Sequence, residues 1–252
     1  MKSKFFVMAS SLAISSTMAL AQGSTTFGPL PAATFNPTGA NSGNPNSQVE
    51  ITTITSPVFG DTITLGLAAQ QRYDNPALTA NNGTYLATPG ADIKGTPPTL
   101  GALWNVDFYA NVSGGQGTVG NYTFKLFYDF DPAAGTPKSQ LGVLNLNVAN
   151  LALGGSPTVS TLQDSENLDF PFFASSLVPG VTPPTGVTTF DPNATGEYSF
   201  ILEVDQDGRE IGESDITVDV QNAPDVSATA PLFALALGSL SAFASRKNRA
   251  AK

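Results

Sequence analysis

Acid–base chemistry in this chain has to come from carboxylates. Its 252 residues include 20 Asp and Glu but no histidine and no cysteine. That excludes Ser-His-Asp and Cys-His catalysis, imidazole metal sites, disulfides and the common structural zinc sites. The carboxylates on strand-like segments are Asp107, Asp129, Glu203 and Asp205. A glycosidase sets two such groups across a cleft, ~5–5.5 Å apart for retention or ~6.5–9.5 Å for inversion. Each of these four occupies the polar phase of an alternating run, or the end of one, as residues of a solvated sheet face do. The expectation is a protein without a catalytic pair, and not an enzyme.

Binding of a hard cation is the second chemistry open to oxygen ligands. Asp129 and Asp131 flank one turn and Asp205 and Asp207 flank another, a loop placement that suits calcium. Neither run has EF-hand spacing or a Gly-Asp nonapeptide repeat, and Asp before Pro or Gly is also ordinary turn chemistry. Calcium is therefore a candidate at these four residues, turn formation is the simpler reading, and no other cofactor is expected. Sugar stacking would need exposed aromatics, for which Trp104, Tyr73, Tyr85 and Tyr109 are available. Trp104 opens an alternating run, so packing is its expected role. Asn-x-Ser/Thr sequons stand at Asn82, Asn111, Asn121 and Asn193. A net charge of −9 and a single Trp lack the basic footprint of a nucleic-acid binder.

The elements that must position these residues read as strands. Val49–Thr55 and Thr62–Leu65 are short and β-branched. Trp104–Val112, Tyr122–Phe130, Val143–Val148, Tyr198–Val204 and Ile216–Val220 alternate apolar and polar residues, which gives each one core face and one wet face. Turn residues separate them: Asn81-Asn82-Gly83, Ser113-Gly114-Gly115, Asp131–Gly135 and Asp207-Gly208. No segment between the two ends keeps a 3.6-residue period over ten residues. The fold class expected is all-β, an antiparallel sandwich of eight or more strands over residues 49–222. Asp191-Pro192-Asn193-Ala194-Thr195-Gly196-Glu197-Tyr198 resembles the tyrosine corner of immunoglobulin-like domains, with Phe200 where a disulfide Cys often lies. This favours an immunoglobulin-like or fibronectin-like sandwich over a jelly roll. Residues 22–48 are mostly Gly, Ser, Thr, Ala, Asn and Pro, and are expected to form a flexible leader or an irregular edge.

Both ends carry address patterns. Residues 1–21 combine basic Lys2 and Lys4, an apolar stretch from Phe5 to Leu20, and a small-x-small site at Ala19 and Ala21. That is the pattern of a secretory signal peptide, cut before Gln22 by signal peptidase after delivery by the secretion machinery. At the other end, Ala223-Pro224-Asp225 precedes an almost uncharged run from Val226 to Ala244, and residues 245–252 carry Arg246, Lys247, Arg249 and Lys252. Nineteen residues of helix reach about 28 Å, just enough for a ~30 Å hydrocarbon core. The basic tail would stay cytoplasmic and the acidic body outside.

This C-terminal pattern resembles the PEP-CTERM sorting signal in its Val-Pro-Asp variant. Pro224 and Asp225 match the motif, residues 226–244 the transmembrane helix, and Arg246, Lys247 and Arg249 the basic stop. Ala223 stands where the variant carries Val, and Val226 where it carries a small residue. The resemblance covers about 30 residues. It implies an exosortase as processing partner, a transient membrane anchor, and a bacterial cell surface or extracellular polysaccharide matrix as destination. A plain permanent anchor, as in an adhesin, remains the alternative, and a carbohydrate-binding or carbohydrate-active body is the runner-up in function. Cutting at both ends would remove Lys2, Lys4, Arg246, Lys247, Arg249 and Lys252 with one acidic residue, Asp225, so the delivered body would be more acidic than the whole chain.

Overall fold

Period-two alternation in the sequence becomes two facing sheets. The computed structural model describes residues 23–35, 48–72, 78–94, 99–115 and 117–222. The first sheet contains β1 (Ser24–Gly28), β2 (Val49–Thr55) and β3 (Thr62–Gln71). The second receives β4 (Thr79–Asn81) and β5 (Thr84–Ala87), and a separate hairpin follows as β6 (Ala91–Lys94) and β7 (Thr99–Ala102). Next come β8 (Trp104–Ser113), β9 (Thr123–Tyr128), β10 (Gly142–Asn145), α1 (Leu146–Ala152) and β11 (Thr161–Glu166). The chain closes with β12 (Val181–Thr182), β13 (Gly196–Gln206) and β14 (Arg209–Val220).

The strand order is β1-β2-β3-β8-β11 in the first sheet and β12-β10-β9-β13-β14-β5-β4 in the second. Neighbours are antiparallel except β5 and β14, which run parallel from Thr84 opposite Thr217 to Ala87 opposite Val220. The described residues are thus mostly strand, with a single short α-helix, and the all-β expectation holds.

Each sheet turns its apolar phase inward. Ile63, Leu65, Leu67, Val106, Phe108 and Ala110 from the first sheet face Phe124, Leu126, Phe200, Leu202, Val204 and Val218 from the second, and all are buried. At one end Trp104 lies 5.9 Å from Phe190, 5.8 Å from Tyr198 and 6.1 Å from Phe200, ring centre to ring centre. Tyr198 also closes the corner read from the sequence, its hydroxyl donating to the Ala194 carbonyl at 3.5 Å. The β13–β14 hairpin turns on Asp207 and Gly208, both left-handed at φ 53° and 74°, where Gly is unstrained and Asp is tolerated.

Two expectations are corrected. The run Val143–Val148 is not one strand, because β10 stops at Asn145 and α1 begins at Leu146. Its two asparagines cap the helix and tie it to the 119–124 backbone rather than forming a wet strand face. Asn145 Oδ1 accepts from the Val148 N–H at 3.1 Å as N-cap. Asn147 Oδ1 accepts from the Phe124 N–H at 2.8 Å, while its Nδ2 donates to the carbonyls of Val119 and Tyr122.

The second correction concerns the leader. Ser24–Gly28 adds β1 to the free edge of β2, and Leu30, Ala33 and Phe35 then lie buried across the outer face of the first sheet. Gln163 Oε1 on β11 accepts from the backbone N–H of Thr34 at 2.9 Å and of Phe35 at 3.1 Å. Gly66 makes room for this, since a Cβ there would stand 2.7 Å from Leu30 Cδ2. Strand pairing and three apolar anchors thus order residues 23–35 of a stretch whose average composition is too polar to fold alone.

Candidate functional site

Of the carboxylates singled out by sequence, Glu203 and Asp205 meet at Lys125, and the others stand apart. Asp107 lies on the outer face of β8, fully buried. Gln70 Nε2 donates to its Oδ1 at 2.9 Å. Burial pushes its pKa well above the usual range, with hydrogen bonds from Ser165 and Gln70 opposing. Asp129 is raised by burial as well, and its two oxygens accept from the backbone N–H groups of Asp131 at 2.9 Å and Ser199 at 3.5 Å. Asp131 in turn accepts from the Ala133 N–H at 3.0 Å, so this pair builds a turn. Asp205 pairs across β13 and β9 with Thr123, whereas Asp129 follows Tyr128 at the other end of β9. Six residues of strand separate the two turns by about 20 Å. Asp129 and Asp131 therefore cannot share one ion with Asp205 and Asp207.

Acidic side chains do cluster on the outer face of the second sheet. Glu203, Glu210 and Glu213 bring carboxylate oxygens within 4.8 Å of one another. Lys138 occupies their centre, with Nζ 2.6 Å from Glu203, 3.3 Å from Glu210 and 2.6 Å from Glu213. Lys125 reaches Glu203 at 2.9 Å and also bonds Asp205. Burial pulls the Glu203 pKa upward, but Lys138 and Lys125 outweigh it and hold the carboxyl below its ordinary value. Burial would lower Lys138, and Glu203 with Glu213 raise it instead. The protein's own ammonium group stands where a hard cation would. Removing it in Lys138→Met is expected to cost about 1–2 kcal/mol of stability in calcium-free buffer. Millimolar calcium should restore most of that loss and leave the parent unchanged in urea unfolding; a variant indifferent to calcium would show that the three glutamates cannot form a cation site.

A second arrangement was not legible in the sequence. β11 is an edge strand, and Leu162, Asp164 and Glu166 share its inner face by the period of two. Beside them open two adjoining cavities of about 320 and 370 Å³ that share Leu144, Ala149, Leu153 and Glu166. Phe108, Leu146 and Leu162 line the first, and Phe172, Val178 and Val181 line the second. Ala149 of α1 and Leu153, just past its C-terminal end, line both cavities. Burial, and then the charge of Asp164, push the Glu166 pKa up to about 8. Asp164 is itself raised by burial, with the Ser165 N–H opposing at 2.8 Å. Asp164 and Glu166 thus stand on one strand face beside the cleft, where they can hold a charge or a proton.

Of the aromatics considered for sugar stacking, Trp104, Tyr85 and Tyr109 are all buried. Tyr73 lies outside the described residues, as do Ala19, Ala21, Pro224, Asp225, Arg246, Lys247 and Arg249. Among the described residues no helix is long and apolar enough to cross a membrane. Comparison of the chain with known protein families, with curated proteins and with solved structures gives no match.

Proposed function

We propose that this chain is an exported, non-catalytic β-sandwich protein, sorted by an exosortase-type system to the cell surface or the extracellular matrix. The observation that carries the non-catalytic part is the use made of its strand carboxylates. Asp107 is enclosed with Gln70 and Ser165 on the outer face of β8, Asp129 holds a turn, Glu203 is paired with Lys125 and Lys138, and Asp205 is paired with Lys125. None of the four faces another across a cleft. The export part rests on the two terminal patterns of the sequence.

The body is best understood as immunoglobulin-like. Supporting this, β8 pairs with β11 in one sheet and β9 with β13 in the other, successive segments cross between sheets, and the final strand takes a parallel partner from early in the chain. The Tyr198 corner supports the same topology. Burial of Trp104, Tyr85 and Tyr109 removes three of the four aromatic platforms on which sugar recognition would depend.

Mass spectrometry of the C terminus of the protein recovered from the cell surface tests the sorting reading. The expected terminus lies near Pro224. A mature surface protein that still ends at Lys252 would instead be permanently anchored.

A further inference from the structure

We propose that the cleft between β11 and α1 binds a small organic cation with an apolar body, such as a primary amine on an alkyl or aryl chain, and that Asp164 and Glu166 receive its ammonium group. This goes beyond the sorting and scaffold reading and does not depend on it.

Three observations lead there. The first is size: cavities of about 320 and 370 Å³ fall within the range of roughly 300–1,000 Å³ typical of small-molecule sites. The second is lining. The cavity bounded by Phe172, Val178 and Val181 is apolar except for Glu166, and Leu153, 88% exposed, stands at the rim shared with its neighbour. An alkyl or aryl group would bury that surface.

The third observation is a missing charge. Two other partly buried carboxylates have cations of the chain beside them, Glu203 with Lys125 and Lys138, and Asp169 with Arg72, which draws it down against the effect of burial, while Asp107 and Asp129 are held by neutral donors. No lysine or arginine lies among the residues that line the cleft. Besides Glu166 the lining holds Asp164 with neutral Thr161 and Gln163 from its own strand, neutral Asn150 from α1, and apolar side chains from β8, β10, β11, α1 and the 172–181 segment. A cation brought by a ligand would complete the pair. A fatty-acid anion would meet like charge, and a bare metal ion would find two carboxylates where calcium takes 6–8 oxygens.

The site also dictates a pH signature. Glu166 is raised to about 8, so below that pH it is mostly protonated and has to release its proton to accept an ammonium group. Calorimetric titration of the full chain with hexylamine, hexanol and hexanoate tests this at pH 6.5 and pH 9. Hexylamine should bind more tightly than hexanol, and its affinity should rise by up to about thirty-fold between the two pH values, following the ionised fraction of Glu166. Glu166→Gln should abolish that rise, and Asp164→Asn should weaken amine binding about ten-fold at pH 9 while unfolding as cooperatively as the parent. Equal binding of hexylamine and hexanol would overturn the proposal, as would preference for hexanoate or an unchanged pH profile in Glu166→Gln. So would variants that bind amine normally but self-associate, because the two carboxylates would then be guarding an edge strand.

Discussion

Trp104→Ala should cost about 3–5 kcal/mol of unfolding free energy, the largest single-residue loss expected in this protein. The indole sits among Phe190, Tyr198 and Phe200 with ring centres 5.8–6.1 Å away, and those rings run on to Phe130 and Tyr128. Truncation would leave a cavity that three rigid rings cannot close without leaving their rotamers. Phenylalanine is the informative control. Trp104 Nε1 is buried and makes no hydrogen bond, so Trp104→Phe gives up contact area but no polar interaction, at an expected cost of about 1–2 kcal/mol. Urea unfolding followed by circular dichroism measures both, and the parent's only Trp adds fluorescence as a second probe. An alanine variant within 1 kcal/mol of the parent would mean that Trp104 does not anchor the core.

Stability should be greatest at mildly acidic pH and fall as the solution becomes basic. Glu166 has its pKa raised from 4.5 to about 8, first by burial and then by Asp164, and Glu50 from 4.5 to about 6, by burial and then by Asp215. A carboxyl that holds its proton more tightly folded than unfolded stabilises the fold below its unfolded pKa. That contribution is lost as pH rises through the folded value. For Glu50 the loss runs from 4.5 to about 6, and for Glu166 from 4.5 to about 8. Glu203 acts in the opposite sense. Its folded pKa is lowered, so its contribution is present above 4.5 and disappears as pH falls through the lowered value.

The maximum therefore lies near pH 5. From there to pH 9 the loss assigned to Glu166 should be about 2–3 kcal/mol, allowing for the solvent that reaches the cleft. Glu166→Gln keeps the size of the side chain and removes the titration. It should flatten the profile between pH 6 and 8 and exceed the parent's stability at pH 9 by a similar amount. Urea midpoints across pH 4–9 give the answer, and parallel profiles for parent and variant would remove Glu166 from the account.

The pattern of strands was open to reading wherever one face met solvent. β2 runs from Val49 to Thr55 as alternation and β-branching imply, and β8 and the β13–β14 hairpin begin and turn where the sequence points. The signal fades where both faces are covered. β3 continues through Gly66-Leu67-Ala68-Ala69-Gln70 because the N-terminal segment packs on one side and the second sheet on the other. Asp107 follows the polar phase of its strand, yet that face is covered, with Leu30 packed at Gly66 and Thr34 and Phe35 bonded to Gln163, and Asp107 is enclosed instead of wet. Thr161–Glu166 looks like a polar loop because the inner face of this edge strand borders a cleft and carries Asp164 and Glu166 where a core strand would carry leucine. Lys138 opens a single 3-10 turn, Lys138–Gln140, between β9 and β10, and only the third dimension brings it among three glutamates.

The parallel pairing of β14 with β5 fixes an order of events for a chain that emerges N-terminus first. The β13–β14 hairpin is local and forms quickly, but residues 84–87 wait for residues 217–220 before their edge is covered. Until then the hydroxyl of Tyr85, which in the finished sandwich reaches the carbonyls of Gln48 and Leu67, belongs to a strand without its long neighbour. The second sheet therefore closes only after the chain has been made through residue 220. Any product truncated before β14 would present both β13 and β5 as open edges, a species for proteases rather than a shorter working protein.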